Sequence, residues 1–161
     1  MEIIQDFISA RYNKMIPEYL TIHETGNFSK GANAKSHANF LKNTNTDNKC
    51  WHFTVDENVI YQHIPITYNG WHCTDGNGDG NRKSIGIEMC VNVDGNYEKT
   101  LQNTIWLCRK LLKENPSIKD VVQHSHWYNK DCPQKLRASG RWEWFKNEVY
   151  NIEETIPSWK Y

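Results

Sequence analysis

The stretch SIGIEMCVN, residues 84–92, is almost continuously apolar. A run of this kind is typical of a strand in the middle of a sheet, covered on both faces. Elsewhere the chain changes between the two-residue hydrophobic period of strands and the period of about 3.6 residues that helices show. The sequence therefore predicts mixed α and β structure around a buried central strand.

The remaining elements follow from the same two periods. The predicted strands are 19–25, 51–66 and 120–127, and the second of these is a hairpin with a polar turn; the predicted helices are 32–43, 97–115 and 140–152. In helix 97–115, Leu101, Ile105, Cys108 and Leu112 share one face. Cys108 is therefore predicted to be a small buried residue without a chemical role.

Length and composition limit the kind of protein. A chain of 161 residues suits one domain, expected over 1–152, with 153–161 as a tail or the start of a linker. Five dispersed cysteines, an odd number, do not predict a disulfide framework. Nineteen basic and nineteen acidic residues leave no net charge for holding nucleic acid, so no nucleic-acid partner is expected.

The start of the chain has acidic residues and no long apolar run. We therefore expect synthesis in the cytoplasm without a signal peptide, and no insertion into a membrane. We also expect a monomer.

The segment HSHWYNKDCP, residues 124–133, carries the first chemical signal. His124 and His126 are two apart on a predicted strand and would point the same way, while Cys132 follows in a loop. His23 in TIHET interrupts an apolar strand and could complete a set of three zinc ligands with one open position. The residues alone leave zinc and a Cys/His thiol site equally open.

Four segments together carry a family resemblance: TIHET, WHFTVDEN, GWHCTDGNGDGNRKSIGIEMC and QHSHWYNKDCP. From about residue 17 to 150 the chain resembles the zinc-dependent N-acetylmuramoyl-L-alanine amidases of the phage-lysozyme and peptidoglycan-recognition superfamily, especially endolysin catalytic domains. The resemblance implies an α/β fold with a central mixed β-sheet, flanking helices and a zinc groove at one edge. It also implies Zn²⁺ held by His23, His124 and Cys132, with His126 as a neighbour.

Such enzymes use zinc-activated water to cut the amide bond between N-acetylmuramic acid and L-alanine, so the resemblance implies this activity. Glu88, a carboxylate inside the apolar strand, is the expected base, because burial would raise its pKa toward the working range. Lys130 matches the family lysine near the metal and is expected to stabilise the oxyanion.

One position departs from the family pattern. Trp51 stands where many members have a tyrosine near the zinc, and an indole supplies no hydroxyl. We therefore leave Trp51 out of the catalytic set. His52 is compatible with simple packing or with support of a ligand.

The loop 75–84 resembles a calcium loop only in part, because its twelfth position is Gly86 where a glutamate is needed. It is closer to a family loop that borders the substrate groove. We therefore expect substrate contacts from Trp71, His72, Asn81 and Arg82.

The expected partner is bacterial peptidoglycan, both glycan strand and stem peptide, reached after release from the cell. Two alternatives stay open: a peptidoglycan-binding module without activity, and a thiol hydrolase in which Cys132 is the nucleophile. The sequence does not separate a phage endolysin from a bacterial autolysin.

Overall fold

A computed structural model describes residues 1–9, 12–44 and 48–151, which form one six-stranded sheet with helices packed on it. The strands are β1 (Ile3–Gln5), β2 (Tyr19–Glu24), β3 (Phe53–Val55), β4 (Ile60–Gln62), β5 (Ser84–Met89) and β6 (Asp120–Gln123). The helices are α1 (Ala34–Lys42), α2 (Asp79–Lys83), α3 (Tyr97–Glu114), α4 (Gln134–Ala138) and α5 (Trp142–Tyr150), with a 3-10 turn at His124–His126.

The sheet has the order β1-β4-β3-β5-β2-β6. The β3–β4 hairpin is antiparallel, and the other neighbouring strands of this sheet run parallel. The predicted mixed sheet, the hairpin and the central position of the apolar strand are thereby confirmed.

The two central strands, β2 and β5, have an apolar side and a polar side. Successive side chains of a strand point to opposite faces. On one face the strands contribute the buried residues Leu20, Ile22, Ile85, Ile87 and Met89 to the main core. On the other face they carry Thr21, His23, Ser84, Gly86 and Glu88, and the pairing places Thr21 beside Gly86 and His23 beside Glu88.

Helix α3 covers the apolar face. Its buried stripe includes Leu101, Ile105 and Cys108, all of which belong to the main core. Cys108 is fully buried, which confirms its prediction as a core residue. The guanidinium group of Arg109 donates to the backbone oxygen of Glu148 and joins α3 to α5.

Helix α1 packs on the β3–β4 hairpin around a second cluster, which contains Leu41, Trp51 and Ile64. The side chain of Asn33 starts α1 by accepting a hydrogen bond from the Ser36 backbone N–H. All five cysteines are buried, and no disulfide joins them, in agreement with the composition.

The strand predicted at 120–127 is wrong in its second half. β6 ends at Gln123, and the backbone N–H of Trp127 turns back to the His124 oxygen at 2.9 Å. His124 is consequently buried while His126 is exposed, so the two rings do not share a direction as the strand prediction required.

Short elements escaped prediction, namely β1, α2 and α4, because three to five residues show no clear period. The tail predicted at 153–161 lies outside the described residues. Within the described ranges, none of the helices has the length and apolar character needed to span a membrane.

Candidate active site

Three predicted ligands converge where β2 and its neighbour β6 end. His23 lies on β2, His124 lies in the turn after β6, and Cys132 lies in the following loop. The two Nδ1 atoms of His23 and His124 are 3.0 Å apart, and Cys132 Sγ is 3.8 Å from His23 Nδ1. All three side chains are buried, and their donor atoms lie within 4.8 Å of one another. Two imidazoles and one thiol fit a tetrahedral zinc ion with one open position.

The ionisation of these groups suits a cation between them. Burial lowers the pKa of His23 well below its usual range and that of His124 to about 4, so both rings are neutral. Burial, with Glu88 nearby, raises the pKa of the Cys132 thiol to about 12. This thiol needs an adjacent cation to become a thiolate, and a bound divalent metal would supply that charge.

Glu88 faces the same space from β5, beside His23 in the sheet register. Burial raises the pKa of its carboxyl to about 7, and the positive charges of Lys130 and Lys49 oppose that rise. Its Oε2 atom is buried without a hydrogen-bond partner among the described residues. A carboxyl that titrates near neutral pH and has a vacant acceptor can take and return a proton.

A groove passes over these groups. It consists of two adjoining cavities of about 300 and 320 Å³. Both cavities are lined by Glu24, Lys49, Trp51, Glu88 and Lys130. The groove therefore carries two cations, one proton-accepting carboxyl and an aromatic wall.

Lys130 is exposed on the loop that leads to Cys132 and lines both cavities of the groove. Its charge acts on His23, His124 and Glu88. A cation there can stabilise negative charge that develops on a bound carbonyl oxygen.

Two charged groove residues were missed from the sequence. Lys49 lines both cavities, but its place a few residues before β3 gives no sign of this. Glu24 accepts hydrogen bonds from the backbone N–H groups of Lys135 and Leu136 and from the Tyr97 hydroxyl. It thereby fixes the start of α4, just after Cys132. A carboxylate directly after His23 in a buried strand was the signal that could have identified it.

The four predicted substrate contacts have different surroundings. Trp71 is partly exposed and lines the cavity over the candidate ligands. His72 also borders this cavity, but its ring is buried, with Nδ1 2.9 Å from His23 Nε2.

The other two predictions need correction. The Asn81 side chain is fully buried: its Oδ1 accepts from the backbone N–H of His72 and of Cys73, and its Nδ2 donates to Gly76. It holds the loop together and has no face for a ligand. Arg82 lines a separate depression with Asn13 and Glu18, and it does not line the groove.

In the calcium-like loop 75–84, the carboxylate at the first position, that of Asp75, binds backbone groups of the loop itself. Asp75 accepts hydrogen bonds from the backbone N–H groups of Gly80 and Asn81, so it caps the first turn of α2. Its oxygens are therefore already used within the loop.

Three further aromatic side chains near the site make hydrogen bonds or ring contacts within the protein. Trp51 is buried and its indole N–H donates to the Thr54 hydroxyl. The His52 Nε2–H donates to the Tyr68 carbonyl oxygen, and its Nδ1 accepts from the Gly86 N–H. His126 is exposed and packs edge-on against Trp127, away from the donor atoms of the metal group.

The sheet order, the three possible metal ligands and the groove together fit the class of metal-dependent hydrolases, and comparison with known proteins identifies the family. Residues 13–135 match the family described as N-acetylmuramoyl-L-alanine amidase, and the chain belongs to it. The predicted resemblance is confirmed. Members of this family generally depend on zinc.

Two relatives come from Bacillus subtilis strain 168. The amidase CwlH is 53% identical over 151 residues, which are 90% of this chain and 59% of CwlH. The amidase XlyA is 49% identical over 152 residues, which are 91% of this chain and 50% of XlyA. The chain thus spans little more than half the length of these relatives.

The solved catalytic domain of XlyA has a TM-score of 0.87 and 46% identity, covering 92% of this chain and 99% of that domain. The predicted fold is confirmed at this level also. The part of XlyA that this chain matches is the part called catalytic.

Proposed function

We propose that this chain hydrolyses the amide bond between the lactyl group of N-acetylmuramic acid and L-alanine in bacterial peptidoglycan. The observation that carries this proposal is the meeting of two Nδ1 atoms and one Sγ atom with the unpartnered carboxyl of Glu88 at the floor of a groove. His23, His124 and Cys132 would hold zinc. When bound, zinc polarises water and the scissile carbonyl, which makes hydrolysis possible near neutral pH.

The chain's own residues would perform the proton transfers. Glu88 accepts a proton from the attacking water at its vacant Oε2 and then delivers it to the leaving amine of L-alanine. Lys130 places its ammonium group where the carbonyl oxygen gains negative charge. Trp71 offers an aromatic wall to the substrate.

The proposed substrate carries carboxylates on its stem peptide, and the groove offers cations to them. Lys49 and Lys130 border both cavities, so carboxylates of a stem peptide would meet cations there. We further propose that the chain acts on the cell wall as a monomer, which light scattering of the purified protein would test.

The test uses purified peptidoglycan and follows two products, new N-terminal alanine and new reducing sugar ends. We expect alanine without reducing ends, loss of the reaction with a zinc chelator, and recovery with added zinc. Glu88→Gln should abolish the reaction, whereas Glu114→Gln, at the exposed end of α3, should not.

Either of two outcomes would contradict the proposal and indicate a different function. Activity that survives chelation and is lost on alkylation would indicate a thiol hydrolase with Cys132 as nucleophile. Wall binding without either product would indicate a recognition module.

A further inference from the structure

The short segment His72–Thr74 lies against the Nε2 side of both candidate histidine ligands, opposite their two Nδ1 atoms. His72 Nδ1 is 2.9 Å from His23 Nε2, and Thr74 Oγ1 is 3.2 Å from His124 Nε2. We propose that His72 and Thr74 are positioning residues, which accept the ring N–H of each histidine so that both Nδ1 atoms face the metal. This inference rests on the zinc site proposed above.

The hydrogen bonds of His72 determine which nitrogen of His23 carries the proton. A neutral imidazole has one N–H and one acceptor nitrogen. His72 Nε2 lies 3.3 Å from the Ser84 carbonyl oxygen, which can only accept, so the proton of His72 belongs on Nε2. Its Nδ1 is then an acceptor, with His23 Nε2 at 2.9 Å and Cys73 Sγ at 3.1 Å. The shorter contact joins two nitrogens and requires a proton on one of them, so we place that proton on His23 Nε2. The lone pair of His23 is left on Nδ1, toward His124 and Cys132.

The second histidine is held in the same way. His124 Nε2 reaches the Thr74 hydroxyl, and the Cys73 backbone is a further partner of this ring. Two Nδ1 lone pairs would then face each other across 3.0 Å, an arrangement that a cation between them stabilises.

Close neighbours on two sides fix the position of the His72 ring. A Cβ atom on Gly86 would lie 2.7 Å from His72 Nδ1, and one on Gly70 would lie 2.9 Å from its Cδ2. Glycine at both positions therefore makes the space in which the ring sits. The Asn81 side chain holds the segment by accepting from the backbone N–H groups of His72 and Cys73, each at 2.7 Å.

Thr74 adopts a costly backbone conformation to reach His124. Its φ is 62°, a region that β-branched residues rarely occupy. Such conformations persist where the surrounding structure requires them, which fits a residue placed to meet a ligand.

A second metal ion is the alternative use of these atoms, because His23, His72 and Cys73 also form a group of three possible ligands. One proton shared between His23 Nε2 and His72 Nδ1 accounts for their separation without a metal. Zinc stoichiometry separates the two interpretations.

The experiment measures the zinc dissociation constant by competition with a chromophoric chelator, together with the visible spectrum of the cobalt-substituted protein. We expect Thr74→Val and His72→Phe to weaken zinc binding about 10- to 100-fold. Thr74→Ser, which keeps the hydroxyl, and His72→Asn, which keeps an acceptor near the Nδ1 position, should restore most of the affinity. Thr67→Val, at an exposed threonine elsewhere, is the matched control.

Each outcome has a distinct meaning. Thr74 is exposed, so its variants test the inference even if a His72 variant does not fold, which circular dichroism would reveal. Unchanged affinity in Thr74→Val would overturn the inference while leaving the zinc site intact. Two zinc ions per chain, one of them lost in Cys73→Ser, would also overturn it. If the unmodified protein binds no zinc, the proposed function fails, and this inference with it.

Discussion

The two faces of β2 and β5 contain alternate residues of the same strands, yet they differ in almost every respect. One face is a continuous apolar surface under α3. The other carries a hydroxyl pair, Thr21 and Ser84 at 2.7 Å, and then the imidazole of His23 and the carboxyl of Glu88. Burying polar groups costs free energy unless they are partnered, whereas burying apolar groups stabilises. The comparison shows that the apolar face stabilises the fold, while the polar face holds the groups of the candidate active site.

The largest expected effect is on the polar face. Glu88→Gln should lower kcat/KM on peptidoglycan by about 10²- to 10⁴-fold, because an amide cannot accept the water proton. Zinc affinity and the melting temperature should not fall. Measurement of all three quantities on one preparation tests this, and a variant that retains most of its activity would remove Glu88 from the mechanism.

The adjacent residue should behave in the opposite way. Ile87 is fully buried in the apolar face, and Ile87→Ala should lower the free energy of unfolding by about 2–5 kcal/mol. Chemical denaturation gives this value. The activity per folded molecule should stay near that of the unmodified chain, and a large loss of kcat with unchanged stability would contradict the separation of the two faces.

The raised pKa of the Glu88 carboxyl also predicts that the stability of the folded chain depends on pH. Its folded pKa is about 7 against a usual value of 4.5, so the folded chain holds this proton more tightly than the unfolded chain. The stability contributed by the proton on Glu88 is therefore complete below pH 4.5 and is lost as pH rises through 7. The free energy of unfolding falls by up to about 3 kcal/mol over this range.

Unfolding in the presence of chelator, compared between the unmodified chain and Glu88→Gln, isolates this contribution from that of the histidines. The stability difference in favour of the variant should grow between these two pH values. A constant difference would mean that Glu88 titrates normally.

The smallest effect concerns Gly86, on the polar face of β5. Gly86→Ala adds a methyl group 2.7 Å from His72 Nδ1, so the ring must shift. We expect about tenfold weaker zinc binding, within the range seen for loss of ligand-supporting contacts. Chelator competition checks it, with Gly140→Ala as a strained but distant control; equal affinities would show that the ring position is unimportant.

Much of the fold could be predicted from the sequence, because long segments with a clear hydrophobic period form the helix or strand that the period indicates. α3 and the β3–β4 hairpin are examples, and the apolar run at 84–92 correctly indicated a central strand. The end of β6 was not readable, because the turn at His124 depends on local backbone bonds and on the contact between Trp127 and Thr21.

The site was predictable in part. The residues alone singled out His23, His124, His126 and Cys132 and left zinc and a thiol site open. The family resemblance selected His23, His124 and Cys132 as ligands and added Glu88 and Lys130. The loop residues were harder, because His72, Asn81 and Arg82 are close in sequence but point into the protein, into their own loop and toward another surface. Those directions depend on the turn that the Gly78 N–H closes by donating to the Asp75 carbonyl at 3.0 Å, and the sequence pattern does not reveal this turn.

The candidate metal group joins distant parts of the chain, and this affects when the protein can first become active. His23 and His124 are 101 residues apart in sequence, and Cys132 is 109 residues from His23. A growing chain that has not yet reached residue 132 cannot assemble the donor set, however well its first strands have paired. The proposed activity would therefore begin only in a chain whose synthesis has passed residue 132.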